Sequence, residues 1–180
     1  TDTTAEVPGA PLTNARYTQG ATGTSSVGYF GGGLPGPLSS MEKMNYASDT
    51  NLGIVPGAAL SVSRYAVTAT SSQENGLPAA AIPTDAPRAA ATPTPQTGTN
   101  YWAAPVAQVG YFGGGYKSGG ATTSVDKITY STDTTVNVPG AGLTDSGRYQ
   151  MAATGDSSAG YYAGGWDNTS SLQSIVDKLE

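Results

Sequence analysis

The chain has 180 residues, no cysteine, no histidine and a formal net charge of −5. This composition excludes disulfides and a thiolate site, and it removes the commonest general base and transition-metal ligand. Only eight Lys and Arg residues are spread along the chain, which argues against nucleic-acid binding, and no apolar run is long enough to span a membrane.

Four short signals recur three times in a constant order. These are Val-Pro-Gly-Ala, Arg-Tyr, an aromatic pair followed by a glycine run, and an acid-Lys pair. The aromatic-glycine stretches lie at 28–33, 110–115 and 160–165. Arg16 and Arg64 stand 48 residues apart, and the middle repeat carries about 34 additional residues. A fixed period of this size is typical of propellers, solenoids and arrays.

Each repeat is predicted to hold four short strands, A to D, because aromatic and alternating segments are separated by Gly, Pro and Asp turns. In chain order, the predicted strands are 3–8 (D), 16–22 (A), 27–33 (B), 40–46 (C), 51–55 (D), 64–70 (A), 109–115 (B), 124–130 (C), 134–138 (D), 148–154 (A), 159–165 (B) and 174–180 (C). This predicts an all-β fold with three four-stranded propeller blades in the order D-ABCD-ABCD-ABC.

The three predicted blades form one propeller segment over residues 1–180, with repeats of about 1–48, 49–131 and 132–180. Three blades are too few for a ring, since four to eight are usual. We therefore expect the ring to be completed by another copy, as a two-chain, six-bladed ring, or by a missing segment of a longer chain. The chain begins at Thr1 and ends within a repeat, so we expect a fragment or a processed piece.

The middle repeat carries an insertion over residues 72–107 that is rich in Ala, Thr and Pro. Such a composition favours extended or irregular chain. The insertion lies between strands A and B, so it is predicted to emerge on one rim as a tolerated loop or a recognition loop. Tyr101 and Trp102 near its end are candidate ligand contacts.

The order Arg-Tyr, aromatic pair, double glycine and a later tyrosine (Tyr46, Tyr130) resembles kelch repeats, with Val-Pro-Gly-Ala where those usually carry a tryptophan. The phrases Gly-Tyr-Phe-Gly-Gly-Gly and Val-Asp-Lys-Ile-Thr-Tyr-Ser-Thr-Asp-Thr-Thr resemble kelch-like repeat proteins of marine bacteriophages, notably cyanophages. This resemblance implies a virion, tail or fibre protein with a surface or adhesive role.

Charged residues that recur in every repeat are expected to serve blade geometry through pairing or turn capping. They are Arg16, Arg64, Arg148, Glu42, Asp126, Asp177, Asp2, Asp49 and Asp133. No two of the remaining acids are nominated together by spacing as a hydrolytic carboxylate pair. The sequence therefore predicts no enzyme activity, no cofactor and no metal.

The loops between strands B and C differ among the repeats, and loops on a rigid scaffold are where binding sites concentrate. The candidate ligand-binding residues there are Tyr116, Lys117, Trp166, Asp167 and Asn168. Aromatics with polar neighbours suit sugar stacking or protein contacts, although packing over a strand end is the alternative. Asn168-Thr169-Ser170 also matches the N-glycosylation pattern.

Three functions follow as hypotheses. The first is a structural or adhesive module on a virion or other extracellular assembly, which binds a host-surface glycan or a virion protein. The second is a self-assembling propeller scaffold, bacterial or designed. The third, disfavoured by the lack of histidine and of an acid pair, is a glycan-active enzyme. None of them requires insertion into a membrane.

Overall fold

A computed structural model describes residues 6–71, 108–155 and 159–180, and these ranges confirm the prediction of an all-β fold. They contain thirteen strands and two short 3-10 turns, at Pro56–Ala58 and Pro139–Ala141. In chain order, the strands are β1 (Gly20–Gly23), β2 (Val27–Gly31), β3 (Met41–Asn45), β4 (Thr50–Ile54), β5 (Thr68–Ser71), β6 (Val109–Gly113), β7 (Tyr116–Lys117), β8 (Gly120–Ala121), β9 (Val125–Thr129), β10 (Thr134–Asn137), β11 (Ala152–Gly155), β12 (Gly160–Ala163) and β13 (Val176–Leu179).

The strands form four antiparallel sheets, of which three follow the predicted order A-B-C-D. Sheet I has the order β1-β2-β3-β4, sheet II has β5-β6-β9-β10, and sheet III has β11-β12-β13. Strands β7 and β8 form a separate two-stranded ribbon. Each of the three larger sheets is a meander, in which neighbours in sequence are neighbours in the sheet.

Strand A is shorter than predicted because the chain bends before it begins. The sequence predicts a start at Arg-Tyr, but each A strand begins four residues later, at Gly20, Thr68 or Ala152. The residues after the three tyrosines have positive φ: Thr18 (58°), Ala66 (52°) and Gln150 (55°). This left-handed conformation turns the chain, so a strand cannot run through it.

Strand B ends two residues before its predicted end, where the double glycine begins. Both glycines have positive φ in every repeat, for example 75° at Gly32 and 105° at Gly33. A methyl group on Gly32 would lie 2.7 Å from the carbonyl oxygen of Arg64. The glycines therefore end strand B sharply and allow a close backbone approach.

The prediction of a first D strand over residues 3–8 is wrong for residues 6–8, the part of it that the structure describes. Residues 6–8 form no strand, and residues 3–5, with Asp2, lie outside the described ranges. Instead, the Ala10 N–H donates to the Val7 carbonyl oxygen at 3.0 Å, which closes a turn. Val55 and Val138 accept from Ala58 and Ala141 in the same way, so all three Val-Pro-Gly-Ala segments form tight turns.

Two apolar cores lie between successive sheets. At the first junction, between sheets I and II, a cluster is built from Tyr29, Met41, Ala58, Leu60, Val67, Phe112, Ile128 and Tyr130. At the second junction, between sheets II and III, the cluster is smaller and consists of Val125, Leu143, Met151 and Tyr162. Consecutive residues of strand B serve opposite faces, as Phe112 packs towards sheet I while Tyr111 packs towards sheet III.

The A strands of the three sheets lie side by side and are linked by side-chain hydrogen bonds. Thr22 Oγ1 donates to the Thr70 carbonyl at 2.9 Å, and Thr68 Oγ1 donates to the Met151 carbonyl at 2.8 Å. Gly20 and Gly160 also lie against neighbouring A strands. The sheets therefore approach one another most closely along their A strands, with small residues at the contact.

Candidate functional site

Each large sheet contains one buried arginine that pairs with the acid of its strand C. Arg16 Nη2 lies 2.5 Å from Glu42 Oε1, Arg64 Nη2 lies 2.8 Å from Asp126 Oδ2, and Arg148 pairs with Asp177. Both members of the Arg64 pair are fully buried. The predicted structural pairing of these charges is therefore present in all three sheets.

Backbone and amide donors complete the environment of the acids. The N–H groups of Thr13, Ser61 and Thr144 each donate to the acid of their own sheet. Asn51 and Asn137, from strands β4 and β10, add side-chain hydrogen bonds. Burial raises the pKa of Glu42, but the donors Thr13 and Asn51 and the charge of Arg16 outweigh it, so the pKa is lowered. Glu42 is therefore held as an ionised acceptor rather than as a proton donor.

The residue after each double glycine forms a two-bond backbone bridge with the tyrosine of Arg-Tyr. Tyr65 and Tyr116 exchange N–H···O bonds of 3.0 and 2.8 Å, and Tyr149 and Trp166 exchange two of 3.0 Å. In the first repeat, Tyr17 and Leu34 form the same bridge. The repeat thus fixes the position of Tyr116 and Trp166 by backbone geometry, independently of their side chains.

These bridges place four aromatic residues from two neighbouring repeats next to one another: Tyr65, Tyr116, Tyr149 and Trp166. The Tyr116 ring lies 5.5 Å from the Tyr65 ring, and it meets the Tyr149 ring edge-on at 5.2 Å. All four residues are half-buried. We call this group the aromatic row; Tyr17, 60% exposed, occupies the equivalent position in the first repeat.

Lys117 follows Tyr116 on the β7–β8 ribbon, where the sequence indicates only a loop. Gly119 and Gly120, with φ of 97° and 128°, form the tight turn of this ribbon. Lys117 is half-buried and directly follows Tyr116 of the aromatic row in the sequence. The structure thus joins Tyr116 and Lys117 on one short, rigid element.

Asp167 and Asn168 hold the loop that follows Trp166. Asp167 Oδ1 accepts from the N–H groups of Thr169 and Ser171, and the pKa of Asp167 is lowered by the hydrogen bonds from Ser171 and Thr169. Asn168 Oδ1 accepts from the Ala121 N–H at 2.6 Å, and its Nδ2 donates to the Ser146 carbonyl at 2.8 Å. Because a glycan would attach to this Nδ2, the bonded amide argues against glycosylation of Asn168 in the folded chain.

The aromatic row includes two tyrosines that sequence reasoning did not nominate. Tyr65 and Tyr149 belong to the Arg-Tyr signal, which the sequence places inside strand A. Their recurrence at one position, next to the variable loop, is the signal that indicates them. The predicted contacts Tyr101 and Trp102, with the insertion 72–107, lie outside the described residues.

A cleft of about 340 Å³ lies at the second junction. Among its lining residues are Tyr111 and Lys127 from sheet II, Asp177 and Lys178 from sheet III, and Gly140 from the turn between them. At the first junction the equivalent Tyr29 and Lys43 are covered by the β9–β10 turn of sheet II. Within the described ranges, no turn of sheet III covers Tyr111 and Lys127 in this way.

The described ranges contain neither a metal-ligand cluster nor a membrane-spanning helix. No group of three or more acidic, histidine or cysteine side chains there has an arrangement that could hold a metal ion. Nor does any helix in those ranges have the length and apolar character needed to cross a membrane.

No protein-family model matches the chain, and no curated protein is significantly similar to it. The resemblance to kelch repeats and to phage proteins therefore stays a prediction.

Proposed function

We propose that the chain is a non-catalytic, kelch-like β-propeller module that presents the aromatic row to a host-surface glycan or a virion protein, on a phage particle or another extracellular assembly. The observation that carries this proposal is the row itself. Backbone bridges pair Tyr65 with Tyr116 and Tyr149 with Trp166, and the edge-on contact between the Tyr116 and Tyr149 rings joins the two pairs into one half-buried group.

The side-by-side A strands support the propeller arrangement. In a propeller, the innermost strands of successive blades lie next to one another around a common axis. The Gly33 N–H donates to the Arg64 carbonyl at 3.0 Å, and the Gly115 N–H donates to the Arg148 carbonyl at 2.9 Å. The same bond thus links each sheet to the next, as radial repetition requires.

The chemistry of the row fits a sugar or a flat protein epitope. Tyrosine and tryptophan provide a large apolar surface with a polar group at one end, and they are rigid enough to bind at a small entropic cost. Lys117 and Asp167, which carry opposite charges, directly follow Tyr116 and Trp166 in the sequence. Such a mixture of aromatic and polar groups on a rigid scaffold is typical of binding surfaces.

Glycan-array binding tests this function directly. Trp166→Ala and Tyr116→Ala are expected to weaken binding at least tenfold, because each removes one face of the row while the backbone bridge can persist. Val136→Ala, at an exposed apolar position on β10, is the control and should bind like the wild type. Equal binding by all three variants would contradict a role for the row. Electron microscopy of purified particles would test the virion location.

A glycan-active enzyme is the less favoured function, because four of the described acids are held in ion pairs. Glu42, Asp126 and Asp177 pair with arginines. Asp133 accepts hydrogen bonds from Lys43 Nζ and from the Tyr29 hydroxyl. A retaining or inverting hydrolase needs two carboxyl groups facing one sugar across about 5 to 10 Å. Saccharide cleavage that disappears when one acid is substituted would reverse this conclusion.

A further inference from the structure

The first junction contains a polar clamp made by four residues. Tyr29 of β2 stacks on Tyr130 of sheet II, with ring centroids 5.3 Å apart and planes 16° from parallel. Lys43 Nζ lies 2.8 Å from both carboxylate oxygens of Asp133, which also accepts from the Tyr29 hydroxyl. Tyr29 and Lys43 are direct cross-strand partners on strands B and C. Together they bind the β9–β10 turn of the next sheet.

The two residues that donate in this clamp, Tyr29 and Lys43, have counterparts on the open face of sheet III. Tyr161 of β12 and Lys178 of β13 are cross-strand partners in the same register as Tyr29 and Lys43. Tyr161 is 38% exposed, and the Lys178 side chain is 48% exposed. Within the described ranges, no sheet packs against this face.

The other two residues of the clamp, Tyr130 and Asp133, have counterparts on the opposite open face, on sheet I. Tyr46 covers Gly28 as Tyr130 covers Gly110, and Asp49 has φ of 50° where Asp133 has 54°. Gly9 lies against the Asp49 carbonyl as Gly57 lies against that of Asp133. The turn of sheet I is thus already in the conformation of its clamped equivalent, while Tyr46 is 45% exposed, unlike the buried Tyr130.

We propose that a second copy of this chain docks head to tail, with Tyr161 stacked on Tyr46 and Lys178 paired with Asp49 across the interface. The two faces match in shape because the same contact exists within the chain, and they match in charge because one presents lysine and the other aspartate. The proposal rests on the sheet stacking described under the proposed function, but it does not depend on a glycan.

A backbone bond is expected to accompany this contact. The second glycine of each repeat donates to the arginine carbonyl of the next repeat, from Gly33 to Arg64 and from Gly115 to Arg148. By the same rule, the Gly165 N–H would donate to the Arg16 carbonyl of the second copy. Lys178 pairs with Glu180 in the single chain, and this pair contributes little because both side chains are exposed.

The number of copies follows from the repeat count. A head-to-tail contact either closes into a ring or continues as a filament. The described part of each copy supplies three large sheets, and propellers usually close with four to eight blades. Two copies, with two identical interfaces, are therefore the expected closed assembly.

Light scattering with charge-swapped variants tests the interface. The wild type is expected to have twice the 18.1 kDa mass of one chain. Lys178→Glu and Asp49→Lys should each dissociate at concentrations at least tenfold higher than the wild type, because like charges then face each other. An equimolar mixture of the two variants should regain the wild-type mass, since each of its two interfaces then pairs lysine with an acid.

Two controls keep the result decisive. Because Asp49 has positive φ, circular dichroism must show that Asp49→Lys is folded, and Tyr161→Ala on the open strand face provides a second dissociating variant. Lys43→Glu breaks the clamp inside one chain, so it should lower the melting temperature without changing the association constant.

Three results would overturn the proposal. They are a folded wild-type monomer at all concentrations, a dimer indifferent to both charge reversals, and an open-ended filament. Glycan binding measured on the dissociated variants keeps the two proposals apart, because the aromatic row is intact in them.

Discussion

The two junctions are built from the same repeat, yet among the described residues only the first has the clamp. At both, the glycine-to-arginine backbone bond is present and the A strands lie side by side. At the first, the β9–β10 turn also covers Tyr29 and Lys43, whereas at the second Tyr111 and Lys127 face a cleft. This difference shows that contacts at strands A and B hold neighbouring sheets together. The turn between strands C and D covers the remaining part of the junction.

The largest expected difference concerns the buried acids. Asp126→Asn leaves the fully buried Arg64 without a counter-charge and is expected to reduce the free energy of unfolding by about 3–5 kcal/mol. Asp177→Asn should cost less, because Asp177 is partly exposed and Asn137 has no counterpart beside it in the described part of sheet III. Urea denaturation at low protein concentration measures both, and equal losses would contradict the comparison.

The second largest difference in stability is expected between alanine substitutions at Gly57, which lies at the first junction, and at Gly140, which lies at the second. A methyl group on Gly57 would lie 2.9 Å from the Asp133 carbonyl oxygen, whereas one on Gly140 would meet nothing within 4 Å. Gly57→Ala is therefore expected to destabilise by about 1–3 kcal/mol. Gly140→Ala should be neutral or stabilising by roughly 0.5 kcal/mol. Thermal melts that place both variants below the wild type would argue against an open cleft.

A smaller difference in stability is expected from removing the Tyr29 hydroxyl, which belongs to the clamp, and the equivalent hydroxyl of Tyr111. Tyr29→Phe removes a hydrogen bond to the Asp133 carboxylate, and such bonds contribute about 1.5 kcal/mol or more. Tyr111→Phe, at the equivalent position facing the cleft, should cost distinctly less. Chemical denaturation of the two variants side by side decides the point, and a larger loss for Tyr111→Phe would refute the assignment.

The smallest expected effect is a pH dependence from Asp133. Burial raises its pKa, but hydrogen bonds from Lys43 and Tyr29 outweigh that effect, so the folded pKa lies below the unfolded value of about 3.9. Its stabilisation is complete above the unfolded pKa and is lost as pH falls through the folded pKa. Between pH 5 and 3, the wild type should lose more stability than Asp133→Asn, by less than about 1 kcal/mol. Parallel pH profiles would contradict this.

Much of the fold was predictable because its determinants are local. Aromatic pairs followed by double glycines mark strand B and its sharp end, and the acid-Lys pair marks strand C. The bends at Thr18, Ala66 and Gln150 were not predictable, since these three different residues share a left-handed conformation that glycine or asparagine more often adopts.

The candidate site was predictable only in part. Variable loop residues such as Tyr116 and Trp166 stand out against a constant repeat, and the structure places them in one group with Tyr65 and Tyr149. Those two tyrosines were overlooked because a recurring residue suggests a structural role. Only the backbone bridges reveal that a constant residue and a variable one share a surface.

The hairpin between β5 and β6 keeps its register despite the long segment that separates its strands. Ser71 pairs with Gly110 as Gly23 pairs with Gly28, although 37 residues rather than three stand between the strands. Loop closure over that longer span costs only about 2 kcal/mol more. The corresponding turn after Gly23 should then accept grafted peptides of similar size, which would make this end of the stack a general display platform.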